Sequence, residues 1–201
     1  VTEKDFLRLL VIGRKKAGVK MQNPKEQRSE QNENVPDLEY LMRRYGDHVV
    51  RLAYSYLRDS EEAKDAAQEV FLRTFSSFAK FRGKPVPYTW IYRVTVNLCR
   101  DRLRKKCRLS LQQFSCDSLA SSINTEEQVL QNFAEKALFD AVMELPVKYR
   151  EVIVLFYLYQ FDTEKIAEIT GVKRSLVKVR LYRARQQLRE ILLKNRVISD
   201  E

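Results

Sequence analysis

The sequence is poor in the residues that build metal sites and cross-links, with one histidine and three cysteines among 201 residues. Cys99, Cys107 and Cys116 show no Cys-X-X-Cys spacing, which argues against a zinc site and a disulfide scaffold. Reduced thiols in a cytosol fit this cysteine usage. Glycine and proline number only five each, which favours long helices joined by short turns over a β-sandwich.

Long apolar runs are also missing. The longest, VIVLFYLY at residues 152–159, is too short to span a bilayer, and the N-terminal VTEKDFLRLLVIGRKK lacks the basic-then-apolar order of a secretory signal. We therefore expect a cytoplasmic protein without membrane insertion. Residues 22–34 hold no large apolar side chain, so residues 1–34 are expected to form a disordered N-terminal extension. Residues 1–20, which precede Met21, are expected to be an optional part of it.

Positive charge is in excess: 37 Lys and Arg stand against 27 Asp and Glu, a formal net charge of +10 at pH 7. Such an excess favours a polyanionic partner, which is either a nucleic acid or the surface of an anionic membrane. The charge alone does not choose between these two partners.

Apolar residues recur at three- and four-residue steps from Pro36 onwards, which is the period of amphipathic helices. The pattern predicts a first domain of three helices within residues 35–108. Asp59 or Ser60 is placed to cap the second helix. The loop before the third helix is FRGKPVP, residues 81–87, because its glycine and prolines resist a continuous helix.

The composition then changes, since residues 109–135 carry four acids and no Lys or Arg. We expect a flexible acidic linker over residues 109–127. A second helical domain follows in residues 128–196, broken at Pro146 and around residues 161–162. The predicted fold is all-α, with two small helical domains joined by a flexible linker.

The second domain ends in the pattern of a helix-turn-helix. Asp162 is placed to cap the short helix TEKIAEIT, and Gly171 supplies the permissive backbone for the turn after it. The inward residues of the short helix are Ile166, Ala167 and Ile169. Those predicted for the longer helix are Leu176, Val177, Leu181, Ala184, Leu188 and Leu192.

The longer helix is strongly basic. Residues 171–196 carry nine Lys and Arg against the single acid Glu190, which is too lopsided for a surface of mixed ion pairs. Residues near the start of such a helix reach base edges and later ones reach phosphates. The predicted DNA-contacting residues are Lys173, Arg174, Ser175, Lys178, Val179, Tyr182 and Arg183. A solvated basic face is the alternative, and it is strongest for Arg189, Lys194 and Arg196.

Two blocks of motifs resemble the extracytoplasmic-function (ECF) group of bacterial RNA polymerase sigma factors. The C-terminal block carries LP, YREV, IAEI-X-GV and VRLYRAR, and the N-terminal block carries DAAQEVF, FRG, YTWIYR and VNLCRDRLR. The resemblance covers about residues 36–192. The sequence departs from it at Ser175-Leu176, where Gly-Thr is usual, and at Val179, where Ser is frequent. Both departures lie on the reading helix, so the DNA sequence bound is expected to differ from the group's commonest motif.

The resemblance implies a protein that binds core RNA polymerase, recognises promoter DNA and promotes strand opening, with residues 128–196 reading the minus-thirty-five element. The positions that match the core-binding helix are Asp65, Gln68, Glu69, Leu72 and Phe75; ordinary packing is the alternative for Leu72 and Phe75. The positions that match the minus-ten reader are Lys84, Val86, Tyr88, Tyr92, Arg93, Asn97, Arg100 and Arg104. Many relatives also bind an anti-sigma factor.

Other classes of function remain as alternatives. A stand-alone helix-turn-helix regulator explains the C-terminal half alone, and a basic membrane-surface protein explains the charge. A metal-dependent nuclease is a further alternative, suggested by the carboxylates of Glu61, Glu62, Asp65 and Glu69. No histidine or glycine-rich phosphate loop accompanies them. We therefore predict no enzymatic activity, no catalytic residue, no cofactor and no metal site.

Overall fold

The computed structural model describes residues 38–77, 88–111 and 133–195. These ranges hold seven α-helices and a π-helical turn and contain no β-strand, and the helices fall into two compact units. The prediction of an all-α fold with two helical domains is confirmed. The expectations for the N-terminal extension, the loop at 81–87 and residues 112–127 of the linker lie outside the described residues. Within the described ranges no helix is long and apolar enough to cross a bilayer.

The first unit consists of α1 (Leu38–Leu57), α2 (Ser60–Ser77) and α3 (Tyr88–Leu111), and each of the three packs against the other two. Its buried centre includes Val49, Leu52, Val70, Ile91 and Val96. Burial of such aliphatic side chains, at about 1.5–3 kcal/mol each, is the main force that holds the three helices together. The helix α3 continues to Leu111, so the predicted linker begins later than residue 109.

A short turn joins α1 to α2. Arg58 adopts the left-handed conformation, with φ of 57°, and its backbone N–H donates to the carbonyl of Tyr54 at 2.9 Å, which ends α1. The carboxylate of Asp59 then accepts a hydrogen bond from the backbone N–H of Glu62 at 2.8 Å. Asp59 therefore caps α2, as one of the two capping residues expected from the sequence.

The second unit consists of α4 (Phe133–Glu144), α5 (Val147–Ile153), the π-helical turn Val154–Leu158, most of α6 (Thr163–Thr170) and α7 (Arg174–Lys194). Both α4 and α5 pack against α7. Pro146 separates α4 from α5, which confirms the predicted break. The largest fully buried side chains of this unit are Leu145, Ile153, Leu155, Ile166, Leu188 and Leu192.

The helix-turn-helix consists of α6, the turn at Gly171 and α7. The Oδ1 atom of Asp162 accepts hydrogen bonds from the backbone N–H groups of Glu164 and Lys165 at 3.0 and 2.8 Å, so Asp162 caps α6. Gly171 has a φ of +70°, a conformation that side-chain-bearing residues rarely adopt. Both local predictions are confirmed, and they fix where α7 begins.

Removal of the α6 cap is expected to destabilise the second unit. Asp162→Ala leaves two N–H groups at the helix start without their carboxylate acceptor, and the expected loss is about 1 kcal/mol of unfolding free energy. Urea unfolding followed by circular dichroism measures this loss. Asp162→Asn is the matched control, since its amide oxygen accepts the same bonds and stability should stay near wild type. Equal losses in the two variants would contradict a capping role.

Candidate nucleic-acid and polymerase interfaces

One side of α7 is buried in the second unit. Its buried side chains recur at steps of four and three residues and are Val177, Leu181, Ala184, Leu188 and Leu192. The prediction that Leu176 belongs to this set is wrong, because Leu176 is exposed. Consecutive helical residues are about 100° apart around the helix axis, so Leu176 points away from the core when its neighbour Val177 is buried.

Two of the arginines of α7 hold the unit together. Arg180 donates to Oε1 of Glu151, a buried carboxylate on α5, at 2.8 Å. Arg185 donates to the hydroxyl of Tyr157 at 2.8 Å, and its guanidinium lies 5.7 Å from the ring centroids of both Phe156 and Tyr157. These cations serve packing, so the basic character of α7 has both a structural and a surface component.

The opposite side of α7 carries four exposed residues at steps of four, three and four, which we call the reading face: Ser175, Val179, Tyr182 and Gln186. The exposed side chains of Lys178 and Arg183 flank it on its two edges. Lys173 and Arg174 are exposed at the helix start, where Arg174 also contacts Thr163 at 3.2 Å. The seven predicted DNA-contacting residues are thus all exposed at the start or on the first three turns of α7, and Arg174 is also paired with Glu164 of α6 at 3.6 Å.

Gln186 was not among the predicted residues. Its signal in the sequence is positional, because it lies one helical turn after Tyr182 and therefore on the same side of α7. Its amide can donate and accept hydrogen bonds, as base edges require.

The outer side of α2 exposes apolar side chains next to polar ones. Leu72 is 60% exposed and Phe75 is 49% exposed, whereas Val70, Phe71 and Thr74 are buried. Asp65 and Gln68 are exposed two turns and one turn before Leu72, respectively. We call Asp65, Gln68, Leu72 and Phe75 the α2 patch. Leu72 leaves more than half of its surface in water and Phe75 about half, so neither is a buried core residue.

Glu69, the fifth predicted core-binding residue, connects α2 to α3. Its carboxylate accepts hydrogen bonds from Arg102 at 2.8 Å and from Arg73 at 2.5 Å. These bonds, that from Arg102 above all, hold the pKa of Glu69 below its ordinary value. Glu62 lies near this ion pair and pairs with Lys106 on α3. Glu61 pairs with Lys64 at 2.6 Å. Three of the four carboxylates considered for a nuclease are therefore paired with cations of the protein itself.

The predicted minus-ten residues on α3 divide into two groups. Arg93, Asn97, Arg100 and Arg104 recur at steps of four, three and four and share one side of the helix. Tyr92 lies on another side and is buried, with its hydroxyl 3.1 Å from Nδ1 of His48 on α1. Its burial gives no support to a base-stacking role. Tyr88 is the first residue of α3, and Lys84 and Val86 lie outside the described residues.

The burial of His48 makes the stability of the first unit sensitive to pH. Burial, and the nearby charge of Arg51, hold the pKa of His48 below its ordinary value of 6.5. Below that value the unfolded chain takes up a proton that the folded chain resists, so stability is complete above pH 6.5 and falls as the pH drops through it. Urea midpoints at about pH 7.5 and pH 5.5 measure this loss. His48→Gln should flatten the dependence, and an unchanged slope would contradict it.

Comparison with known proteins identifies the family. Residues 41–109 match the family model Sigma-70 region 2, and residues 135–188 match Sigma-70, region 4. The ECF RNA polymerase sigma factor SigW of Bacillus subtilis is 32% identical over 158 residues, which cover 74% of this chain and 84% of SigW. The chain belongs to the ECF family of RNA polymerase sigma factors.

Other relatives agree with this assignment. The ECF RNA polymerase sigma factor SigE of Mycolicibacterium smegmatis is 31% identical over 165 residues, which cover 80% of this sigma factor and 63% of SigE. A crystallised complex of the sigma factor RpoE with the anti-sigma factor NepR from Bartonella quintana has the same fold, with a TM-score of 0.61 and 22% identity. That match covers 79% of this chain and 98% of the other. The first unit therefore corresponds to region 2 and the second to region 4.

Proposed function

We propose that this ECF sigma factor binds core RNA polymerase, leads it to promoter DNA and assists strand opening. The α2 patch is the observation that carries the proposal. A stand-alone regulator needs only the basic helix α7, whereas the exposed Leu72 and Phe75 offer apolar surface to a protein partner. Activity on the chromosome places the protein in the cytoplasm.

In this function α7 enters the major groove of the upstream promoter element. Lys173, Lys178 and Arg183 neutralise phosphates or contact guanine, and the reading face meets the base edges between them. Arg180 and Arg185 donate hydrogen bonds to Glu151 and Tyr157 and so stabilise the packing of α7 within the second unit. The cations of α7 that contact DNA are therefore fewer than all the cations that the helix carries.

The basic side of α3 serves the minus-ten element. Arg93, Arg100 and Arg104 form a track along which the backbone of a separated strand is neutralised, and Asn97 offers an amide to a base or phosphate. Lys84, Val86 and Tyr88, in and next to the preceding loop, complete the proposed site from the sequence pattern. The RpoE structure holds an anti-sigma factor, and we extend such a partner to this chain as part of the proposal.

Transcription in vitro tests the proposal. Core polymerase with this chain, given a pooled genomic library, should produce transcripts that start at a defined set of promoters sharing one upstream motif. Core polymerase alone is the control. Sequence-specific DNA binding without any change in transcript start sites would favour the stand-alone regulator instead.

Lys178→Ala and Arg183→Ala are expected to weaken promoter binding by about tenfold each, because each removes one contact to phosphate or base. Binding to core polymerase should be unchanged, since both residues belong to the second unit and the α2 patch belongs to the first. Filter binding of the holoenzyme to promoter DNA and native electrophoresis with core polymerase measure the two properties. A variant that lost both promoter binding and core-polymerase binding would contradict the assignment of DNA binding to α7 and of polymerase binding to the α2 patch.

A further inference from the structure

The reading face of α7 has an apolar centre. Val179 is 45% exposed and Tyr182 is 64% exposed, while the polar Ser175 and Gln186 lie one turn before and one turn after them. A half-exposed isopropyl group leaves apolar surface in water, and covering that surface with an apolar group of a partner is favourable.

Charge identifies the partner of this face. Lys178 and Arg183 flank Val179 on the outer surface, and residues 171–189 contain no Asp or Glu. Cations on both edges of a narrow helix face fit the two phosphate backbones that border a major groove. Val179, between them, then faces the floor of the groove, where base edges lie.

The base edges of the major groove are polar with one exception. Guanine, adenine and cytosine present nitrogen and oxygen donors or acceptors, and thymine adds a 5-methyl group to its O4 acceptor. A donor or acceptor pressed against an isopropyl group loses its water without gaining a hydrogen bond. The 5-methyl group of thymine makes no hydrogen bond to water, so it loses none when it contacts an isopropyl group.

Resting on the proposed function, we propose that Val179 contacts the 5-methyl group of one thymine in the upstream promoter element. This contact makes the sigma factor selective for thymine at that position. Val179 is then a specificity-determining residue, and it distinguishes bases by apolar contact alone, without any hydrogen bond.

Deoxyuridine substitution tests the contact, because it removes the methyl group and keeps every hydrogen-bonding atom of thymine. The holoenzyme is bound to a promoter found by transcription of the genomic library, with each thymine of the upstream element replaced in turn on both strands. One position should lose about fourfold in affinity, the effect of one methyl group leaving an apolar contact.

The variant Val179→Ser should bind thymine and uracil equally at that position, since the partner of the methyl group is gone. Leu176→Ser is the matched control, an exposed aliphatic residue off the reading face, and should keep the fourfold difference. A second arm uses the wild-type protein only: cytosine at the same position binds weakly, and 5-methylcytosine should recover about fourfold.

Equal affinity for thymine and uracil at every position would overturn the contact, as would a difference that persists in Val179→Ser. An upstream element without thymine on either strand would overturn it as well. These results all presuppose promoter-directed transcription, so they are distinct from failure of the proposed function, in which the library yields no defined promoters.

Discussion

Leu72→Asp is expected to abolish binding to core RNA polymerase while the first unit stays folded. Leu72 is 60% exposed at the centre of the outer side of α2, so an aspartate there remains hydrated in the free protein. In the complex the same carboxylate would be buried in an apolar contact, which is strongly unfavourable. Loss of a central interface residue commonly weakens binding by about 2–4 kcal/mol, or roughly 30- to 1,000-fold.

The fold itself should change little, because the lower helix propensity of aspartate and its repulsion from Glu69 together amount to about 1 kcal/mol or less. Fluorescence titration of labelled core polymerase gives the affinity, and circular dichroism gives the helical content. Met42→Asp is the matched control: Met42 is an exposed apolar residue on α1, outside the α2 patch, and its variant should bind normally. Full binding by a folded Leu72→Asp protein would refute the assignment of the α2 patch.

Arg180→Ala is expected to produce the largest loss of stability. The side chain of Glu151 is only 2% exposed and that of Arg180 is 20% exposed, and their charged atoms lie 2.8 Å apart. Removing one member of such a buried pair costs about 3 kcal/mol, because the remaining carboxylate keeps its desolvation penalty and loses a compensating charge. For a domain of this size that loss lowers the melting temperature by more than about 10 °C.

Arg183→Ala is the matched control, since it removes the same side chain from the same helix on the exposed edge of the reading face. Its stability should stay within about 0.5 kcal/mol of wild type. Differential scanning calorimetry of both variants separates the two roles. A destabilised Arg183→Ala protein, or an unchanged Arg180→Ala protein, would contradict the partition of the basic side chains.

Features that depend on neighbouring residues in the sequence could be predicted. The caps at Asp59 and Asp162 and the turn at Gly171 follow from hydrogen bonds and backbone conformations within a few residues, and the structure contains all three. The two helical domains followed from the apolar period and two blocks of family motifs, and they are confirmed.

Features that depend on distant residues could not be predicted. Tyr92 was expected to contact bases, but its partner His48 is 44 residues away in the sequence and lies on another helix. The partners of Arg180 and Arg185 are 29 and 28 residues away, so a count of charges in one segment cannot separate structural cations from exposed ones. Leu176 was assigned to the buried side wrongly, because an apolar residue next to a buried one can lie on either side of a helix.

Because the cations that pack α7 are different residues from those that flank the reading face, the promoter preference of this protein is open to engineering. Ser175, Val179, Tyr182 and Gln186 are all exposed, and none belongs to the buried side that holds α7 to α4 and α5. Libraries randomised at these four positions would contain variants that recognise new promoter sequences while the helical scaffold stays unchanged. Variants selected in this way would supply mutually independent regulators for synthetic gene circuits.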